Sequence, residues 1–513
     1  MIPELLYALV GLVILLHVAE RILSLWDDPR EPPRVWSRVP FLGHAIGLTR
    51  FGPEYFRFVG KKTNAELYTL ALPGSKTYVS NTLHLMTLIQ RNSKSLSFDP
   101  FAIMTSKKMA DASEDVLHQM TTDFAHVSHR TMRNSLQKPS SENDQMNARM
   151  ASEAALHVDK LIEGAVTAAA SGATYKKVML LDWVRHLVVQ ASSCGVYGLE
   201  HPFRDPKVET AFWTWASYLP WHFAGLDLLG TGYAAREKLF AAFRAYSKRV
   251  PDDASSLIKE NDRVYREASW AAEDIARHHA ILSNGVFSNT SPSLYWAIHD
   301  LYSRPDIVSE VRNEVVTNAV GGTKETGFTL DIAAVKQKCT LLLSTYQETQ
   351  RLRHSHANIR AVLQDTILDD KYLLKKGSLI QLPPERIHAD TALWGSTATE
   401  FDPYRFVKKK LAPGFLAWGA PPHLCPARQF AAVEVLVVLA LLILRVDLEP
   451  AGSSDGAMTW KQTPPPSTTA TISTLPYPRE DLKVTVKVRG EWAGQWTLLN
   501  SSDSRTKVPL AST

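Results

Sequence analysis

Trp418-Gly-Ala-Pro-Pro-His-Leu-Cys425-Pro-Ala-Arg428 decides how this chain is read. A stiff loop of proline and glycine ends in a cysteine and runs into a long apolar stretch, Phe430 to Leu444, interrupted only by Glu434. Proline suits the first turn of a helix, because its missing N–H is one of the donors that lack a partner there. Pro426 therefore predicts a helix start beside the cysteine. A thiol in that place meets free N–H groups and the positive end of the helix dipole, which favour its thiolate. A lone cysteine is ordinarily an inert, small apolar residue of the core. On a stiff loop backed by a buried helix, a thiolate is instead a good ligand for a soft metal. The neighbouring words separate these two readings.

Upstream stands Tyr346-Gln-Glu348-Thr-Gln-Arg351, whose Glu348 and Arg351 share one face of a helix. Exposed, such a pair contributes on the order of 0.5 kcal/mol; buried, it needs further partners to offset desolvation. Phe401-Asp-Pro-Tyr-Arg405-Phe406 offers a second guanidinium. In this order and at this spacing, the three words resemble the cytochrome P-450 family. Trp418 stands at the aromatic position of the family's haem-binding segment, His423 at the basic position and Ala431 at the small helix position. Pro421 and Ala427 stand where the family usually has glycine, which permits positive φ and close backbone approach.

The resemblance implies a haem b whose iron takes the Cys425 thiolate as axial ligand, with Trp418 in the same cofactor-binding segment. It implies a Glu348–Arg351–Arg405 network behind the haem on the cysteine side. It also assigns Arg360, in Asn358-Ile-Arg360, and His423 to the haem propionates, which guanidinium groups bind in bidentate fashion. His126 and Arg130, four apart in His126-Val-Ser-His-Arg130, are the corresponding expectation in the N-terminal half. An exposed strand arginine and a chance His/Arg spacing are the plain alternatives.

Ser288-Asn289-Thr290-Ser-Pro292 lies in the helix that ends near Pro305. Counting back from Trp296, the family's acid–threonine pair falls on Ser288 and Asn289, and neither matches. Asn-Thr-x-Pro in this register resembles the branch holding the sterol 7α- and 12α-hydroxylases and prostacyclin synthase. As hydroxylase residues, Ser288, Asn289 and Thr290 form the catalytic polar patch, with Asn289, the Thr290 hydroxyl and water passing protons. Pro292 frees a carbonyl and kinks the helix. A polar patch without a role is the alternative.

The implied activity is that of a membrane-anchored haem-thiolate monooxygenase. It would oxidise a bulky apolar substrate, sterol- or terpenoid-like and of specialised metabolism, with O2 and electrons from NADPH–cytochrome P-450 reductase. Cytochrome b5 is an alternative donor. Lys408-Lys-Lys410 and Arg428 are candidates for the basic docking face, although charge runs are ordinarily just solvated. Two rivals stay open: a reductase-independent isomerase or dehydratase of the prostacyclin-synthase type, and a non-catalytic haem- or lipid-binding relative.

The implied fold is mainly α with a smaller β region, the cytochrome P-450 fold, occupying residues 35–488. Residues 1–26 read as an N-terminal anchor, built on the apolar run Leu5 to Leu16 and spanning by snorkelling at its ends. Arg21, Arg30, Arg34 and Arg38 follow it, which places the catalytic domain on the cytosolic side of the endoplasmic reticulum membrane. Residues 27–34 read as a proline-rich linker and 489–513 as a flexible tail. Helices are expected from about 144 to 170 and from about 210 to 249, a hairpin over 65–79 and a strand over 482–488. The stretch Phe98 to His118 and the tryptophan-rich stretch Phe212 to Phe223 are expected to line the pocket. Net charge +5 is small for 513 residues and makes no case for nucleic acid. Three widely spaced cysteines do not form a disulfide framework.

Overall fold

The computed structural model describes residues 2–122, 124–137, 140–171, 176–355, 358–407, 412–420, 423–452, 459–460, 465–467, 473–500 and 506–511. It is mainly helical with small sheets. The helices that position the site are α1 (Ile2–Ser24), α2 (Phe124–Gln137), α3 (Ser141–Ala170), α4 (Leu180–Tyr197), α5 (Pro206–Ala224), α6 (Thr231–Lys248), α7 (Ala272–Tyr302), α8 (Thr340–Arg353) and α9 (Arg428–Arg445).

α9 is apolar all round, and a helix with no polar face has to be enclosed by others. Every residue from Ala432 to Arg445 is buried, with α3, α7 and α8 packed around it. Each fully buried Leu or Val there contributes about 1.5–3 kcal/mol. Glu434 is the one acidic residue in that run. It accepts the Ser192 hydroxyl of α4 at 2.7 Å, and burial pushes its pKa up to about 8, so it is carried as the neutral acid at pH 7.

The single helix expected over 210–249 is two, because the chain turns between Gly225 (φ 71°) and Gly230 (φ 67°). The turn exposes Leu228 and Leu229 almost completely, 88% and 91%. Phe212, Trp215 and Leu219 are buried in the core, so most of the tryptophan-rich stretch is packing, and Trp221 is exposed. Phe98 to His118 is likewise largely helical, with turns over Asp99–Thr105, Ser106–Ala110 and Glu114–Gln119.

One five-stranded sheet matters here, with β1 (Leu67–Leu72), β2 (Ser75–Ser80), β3 (Leu96–Ser97), β4 (Asn358–Val362) and β5 (Leu379–Leu382). Its order is β1-β2-β5-β4-β3. The β1–β2 hairpin turns at Pro73-Gly74 as expected. β5 pairs antiparallel with β4 so that Ile380 faces Arg360 across the ladder.

Both ends of the chain depart from expectation. The described residues of the tail are docked: Trp496–Leu499 adds in parallel to Gly327–Asp331, and Val508, Leu510 and Ala511 are buried. The Ala511 N–H donates to Gln347 Oε1 of α8 at 2.6 Å. A short apolar run therefore docks where position in the chain alone predicted fraying. Residues 27–34 are pinned rather than a free spacer, since Lys76 of β2 donates to Asp27 at 2.8 Å and to Glu31 at 2.6 Å. α1 exposes Leu12, Ile14, Leu15 and Val18. Among the described residues no helix is long and apolar enough to cross a membrane. The side chains of residues 1–6, 8 and 9 lie outside those described, so the expected span over 1–26 is not supported by the fold.

α7 buries adjacent histidines, His278 and His279, and burial draws both pKa values down to about 4. The unfolded chain takes up protons at these sites below about pH 6.5, so their neutral burial favours the fold above that pH and opposes it as pH falls to about 4. Each loses on the order of 3 kcal/mol across the window. A His278→Gln/His279→Gln variant is expected to flatten the fall in urea midpoint between pH 6.5 and 4; an unchanged slope would contradict this assignment.

Candidate functional site

The loop before α9 closes in successive turns. Gly419 N donates to Leu416 O at 3.0 Å, His423 N to Ala420 O at 3.0 Å and Cys425 N to Trp418 O at 2.8 Å. Gly419 has φ +87°, and a Cβ there would stand 2.9 Å from the His423 carbonyl oxygen, so only glycine fits. Ala427, where a glycine was expected, has an ordinary φ of −87° and caps α9 without strain. Pro421 lies outside the described residues. The helix starts at Arg428, so Pro426 precedes the cap rather than filling the first turn.

Cys425 is half-buried against the main core. Burial raises its thiol pKa; the Ala427 N–H, which hydrogen-bonds the sulfur, and the Arg428 charge act the other way. The helix N-terminus does favour the thiolate, but burial outweighs it, and a positive partner at the sulfur would reverse the balance. Arg428 folds back, donating to the Cys425 carbonyl at 3.0 Å, and is half-buried rather than part of an open basic face. Lys408 to Lys410 lie outside the described residues.

Above this loop, basic side chains converge. β4 turns Arg360 inward, 5% exposed, with Nη1 donating to the Ile359 carbonyl at 2.7 Å. Its guanidinium lies 5.9 Å from the Phe98 ring centroid, and among the described residues no carboxylate pairs with it. Burial alone pulls its pKa down to about 10. The Phe98 ring is 5.8 Å from that of His423, which is 6.0 Å from that of His129. Burial, then the charges of Arg360 and His129, hold His423 down to about 4; Asp99 opposes them and Arg133 adds to them. Trp418 Nε1 and Asn358 Nδ2 are buried donors without a partner beside this loop.

The residues of α2 that reach this cluster are His129 and Arg133, not His126 and Arg130. The helix holds two overlapping His-x-x-x-Arg words, offset by three residues, and its rotation brings the second to His423. The sequence held both words with nothing to choose between them.

Glu348, Arg351 and Arg405 do meet. Arg351 donates to Glu348 twice, at 2.8 and 2.7 Å, and Arg405 Nε donates to Glu348 Oε1 at 3.0 Å. The Glu348 and Arg351 side chains are 0% exposed. The Asp402 N–H adds a bond to Glu348 at 3.1 Å. The remaining donors go to backbone carbonyls: Arg351 to His388 and Ala398, Arg405 to Trp394 and Thr397. His388 continues the chain, its Nε2 accepting the Leu416 N–H at 3.0 Å where the cysteine loop begins. Burial holds His388 well below its usual pKa, so the ring stays neutral and able to accept.

α7 passes close by. Tyr346 of α8 hydrogen-bonds Ser293 of α7 and lies near enough to Cys425 to feel its charge. The three expected catalytic side chains are already occupied. Ser288 Oγ donates to Asn284 Oδ1 at 2.6 Å, Thr290 Oγ1 donates to the Val286 carbonyl at 2.9 Å, and Asn289 Oδ1 accepts the Thr474 N–H at 2.8 Å.

A cysteine at the start of an enclosed helix, its loop tied to a buried carboxylate–guanidinium network, is an arrangement suited to a thiolate ligand. The family model described as Cytochrome P450 matches residues 245–471. Cytochrome P450 monooxygenase nodJ of Hypoxylon pulicicidum is 29% identical over 507 residues, covering 94% of this chain and 95% of that protein. Cytochrome P450 7B1 of Mus musculus is 23% identical, covering 82% and 85%. Cholesterol 7-alpha-monooxygenase of Cricetulus griseus is 25% identical over 247 residues, 44% of this chain and 48% of that one. Over almost its whole length the chain is similar to cytochrome P450 monooxygenases, which are oxidoreductases. That similarity implies a haem cofactor, a redox partner and a substrate.

Proposed function

We propose that this protein is a haem-thiolate monooxygenase that oxidises a bulky apolar substrate, sterol- or terpenoid-like, in specialised metabolism. Cys425 would hold the iron of a haem b through its thiolate, and Arg360, His423, His129 and Arg133 would hold the propionates. The observation that carries this reading is Arg360: a buried guanidinium with no carboxylate partner among the described residues, beside the cysteine loop. A buried cation needs an anion, and the unpartnered Trp418 and Asn358 donors add two more groups suited to carboxylate oxygens. Haem bound through thiolate supplies electron density that favours O–O cleavage. The chain's own residues bind its edge, fix the sulfur through Gly419 and Ala427, and exclude water on the cysteine side through the Glu348 network. The similarity of part of the chain to cholesterol 7-alpha-monooxygenase supports the sterol-like substrate class.

Electrons come from NADPH–cytochrome P-450 reductase, and the exposed apolar side of α1 holds the protein at the endoplasmic reticulum membrane with its catalytic domain in the cytosol. The full chain, incubated with reductase, NADPH, labelled O2 and a sterol and terpenoid panel, is expected to place one labelled oxygen in a product. Turnover without reductase would favour an isomerase or dehydratase, and haem binding without any turnover a non-catalytic relative.

The choice of α2 word gives a direct test. His129→Leu and Arg133→Leu are each expected to speed haem transfer to apomyoglobin by about 10–100-fold, while His126→Leu and Arg130→Leu leave it unchanged. The reverse pattern would restore His126 and Arg130 as the propionate pair.

A further inference from the structure

Pro292 lies inside α7 and has no N–H, so the Ser288 carbonyl one turn earlier lacks its helical donor. That carbonyl is not left bare: the Tyr477 hydroxyl donates to it at 3.1 Å. The next residue, Asn289, accepts the Thr474 N–H at 2.8 Å. Beyond the proline, Trp296 Nε1 donates to the Pro476 carbonyl at 2.7 Å. Residues 474–477 are thus bonded at three points along one side of α7, before and after the proline. The Thr474 carbonyl also accepts Ser355 N–H at 3.0 Å, in the segment that follows α8 and leads toward β4 and Arg360. Tyr477 is further held by Arg185, whose guanidinium lies 4.8 Å from its ring and 4.7 Å from that of Trp213.

We propose that Asn289, Tyr477 and Trp296 form a clamp that fixes residues 474–477 as a wall of the substrate space, so that Asn289 is a positioning residue rather than a proton carrier. The proposal rests on the haem-thiolate reading only in that this side of α7 faces substrate. The proline and the clamp are one device, since the proline exposes the acceptor that Tyr477 takes. Asn289 contributes an acceptor of fixed direction to a backbone N–H, and that bond sets its amide plane. A carrier of protons needs the opposite, a group free to exchange partners.

Hydrogen–deuterium exchange of residues 473–478 in the full-length protein tests the clamp without turnover. Asn289→Leu and Tyr477→Phe are each expected to raise exchange there by up to about tenfold, the loss of one buried hydrogen bond. Asn289→Asp keeps an acceptor and is expected to retain wild-type protection. Both disruptive variants are also expected to shift the ratio of oxidised positions in the product in the same direction, with the solvent isotope effect on turnover unchanged. Wild-type protection in Asn289→Leu would overturn the proposal, as would a larger solvent isotope effect with an unaltered product ratio. A wild-type protein without a thiolate-type reduced carbon monoxide band would instead sink the haem-thiolate reading, and the exchange result would still decide on the clamp.

Discussion

Cys425→Ala is expected to abolish the red-shifted Soret band of the reduced carbon monoxide complex and to bring turnover below detection, while the chain stays folded. The site draws on one of the chain's three cysteines. Cys194 and Cys339 are buried elsewhere, and burial, foremost, pushes both thiols up to about 12, so neither is available as a thiolate. Cys194 is also engaged, with the Arg204 guanidinium 2.9 Å from its sulfur. Cys425 itself contributes little packing, being half-buried, and the turns that shape its loop are backbone bonds that alanine retains. The loss is therefore expected in the spectrum and the chemistry, with the far-ultraviolet dichroism unchanged. A thiolate-type band surviving in the alanine variant would remove Cys425 as the ligand.

Glu348→Leu is expected to be the most damaging single change to the fold. It leaves the Arg351 and Arg405 guanidinium groups facing each other in a dry interior with their common carboxylate gone. Breaking a buried pair by removing one partner costs about 3–5 kcal/mol, a large share of the 5–15 kcal/mol typical of a domain. The damage has a second route, because the Arg351 bond to the His388 carbonyl and the His388 bond to Leu416 tie this network to the cysteine loop. Haem content is thus expected to fall more steeply than helix content as the variant is warmed. Arg351→Lys, which keeps charge but loses the two-pronged geometry, is expected to lie between the two. A Glu348→Leu protein that melts and holds haem like the wild type would show that the network is dispensable.

The cysteine loop and the Glu348 network were legible because each is a local word whose chemistry dictates its surroundings: a loop ending at an apolar helix, and charges that share a helix face. Arg360 was legible only through resemblance, since a strand arginine shows its burial only once β4 is paired with β5. His129 was passed over for His126 because a four-residue spacing fixes a face relative to itself and not relative to the partner. The break at Gly225–Gly230 was hidden by flanking segments that share one helical pattern. The docked tail was missed because its partners, Gly327–Asp331 and Gln347, lie far away in sequence. The bond that Asn289 accepts from the Thr474 N–H was not legible because its partner lies far along the chain.

The bend between α5 and α6 bears on how the protein behaves as a colloid. Leu228 and Leu229 stand almost wholly in solvent in a part of the chain other than α1, so the exposed apolar surface does not all belong to residues 1–26. Deleting residues 1–26 would remove the exposed side of α1 and leave Leu228 and Leu229. A shortened protein would still gather into aggregates without detergent, and charge introduced at Leu228 and Leu229, not further trimming, is what would keep it dispersed.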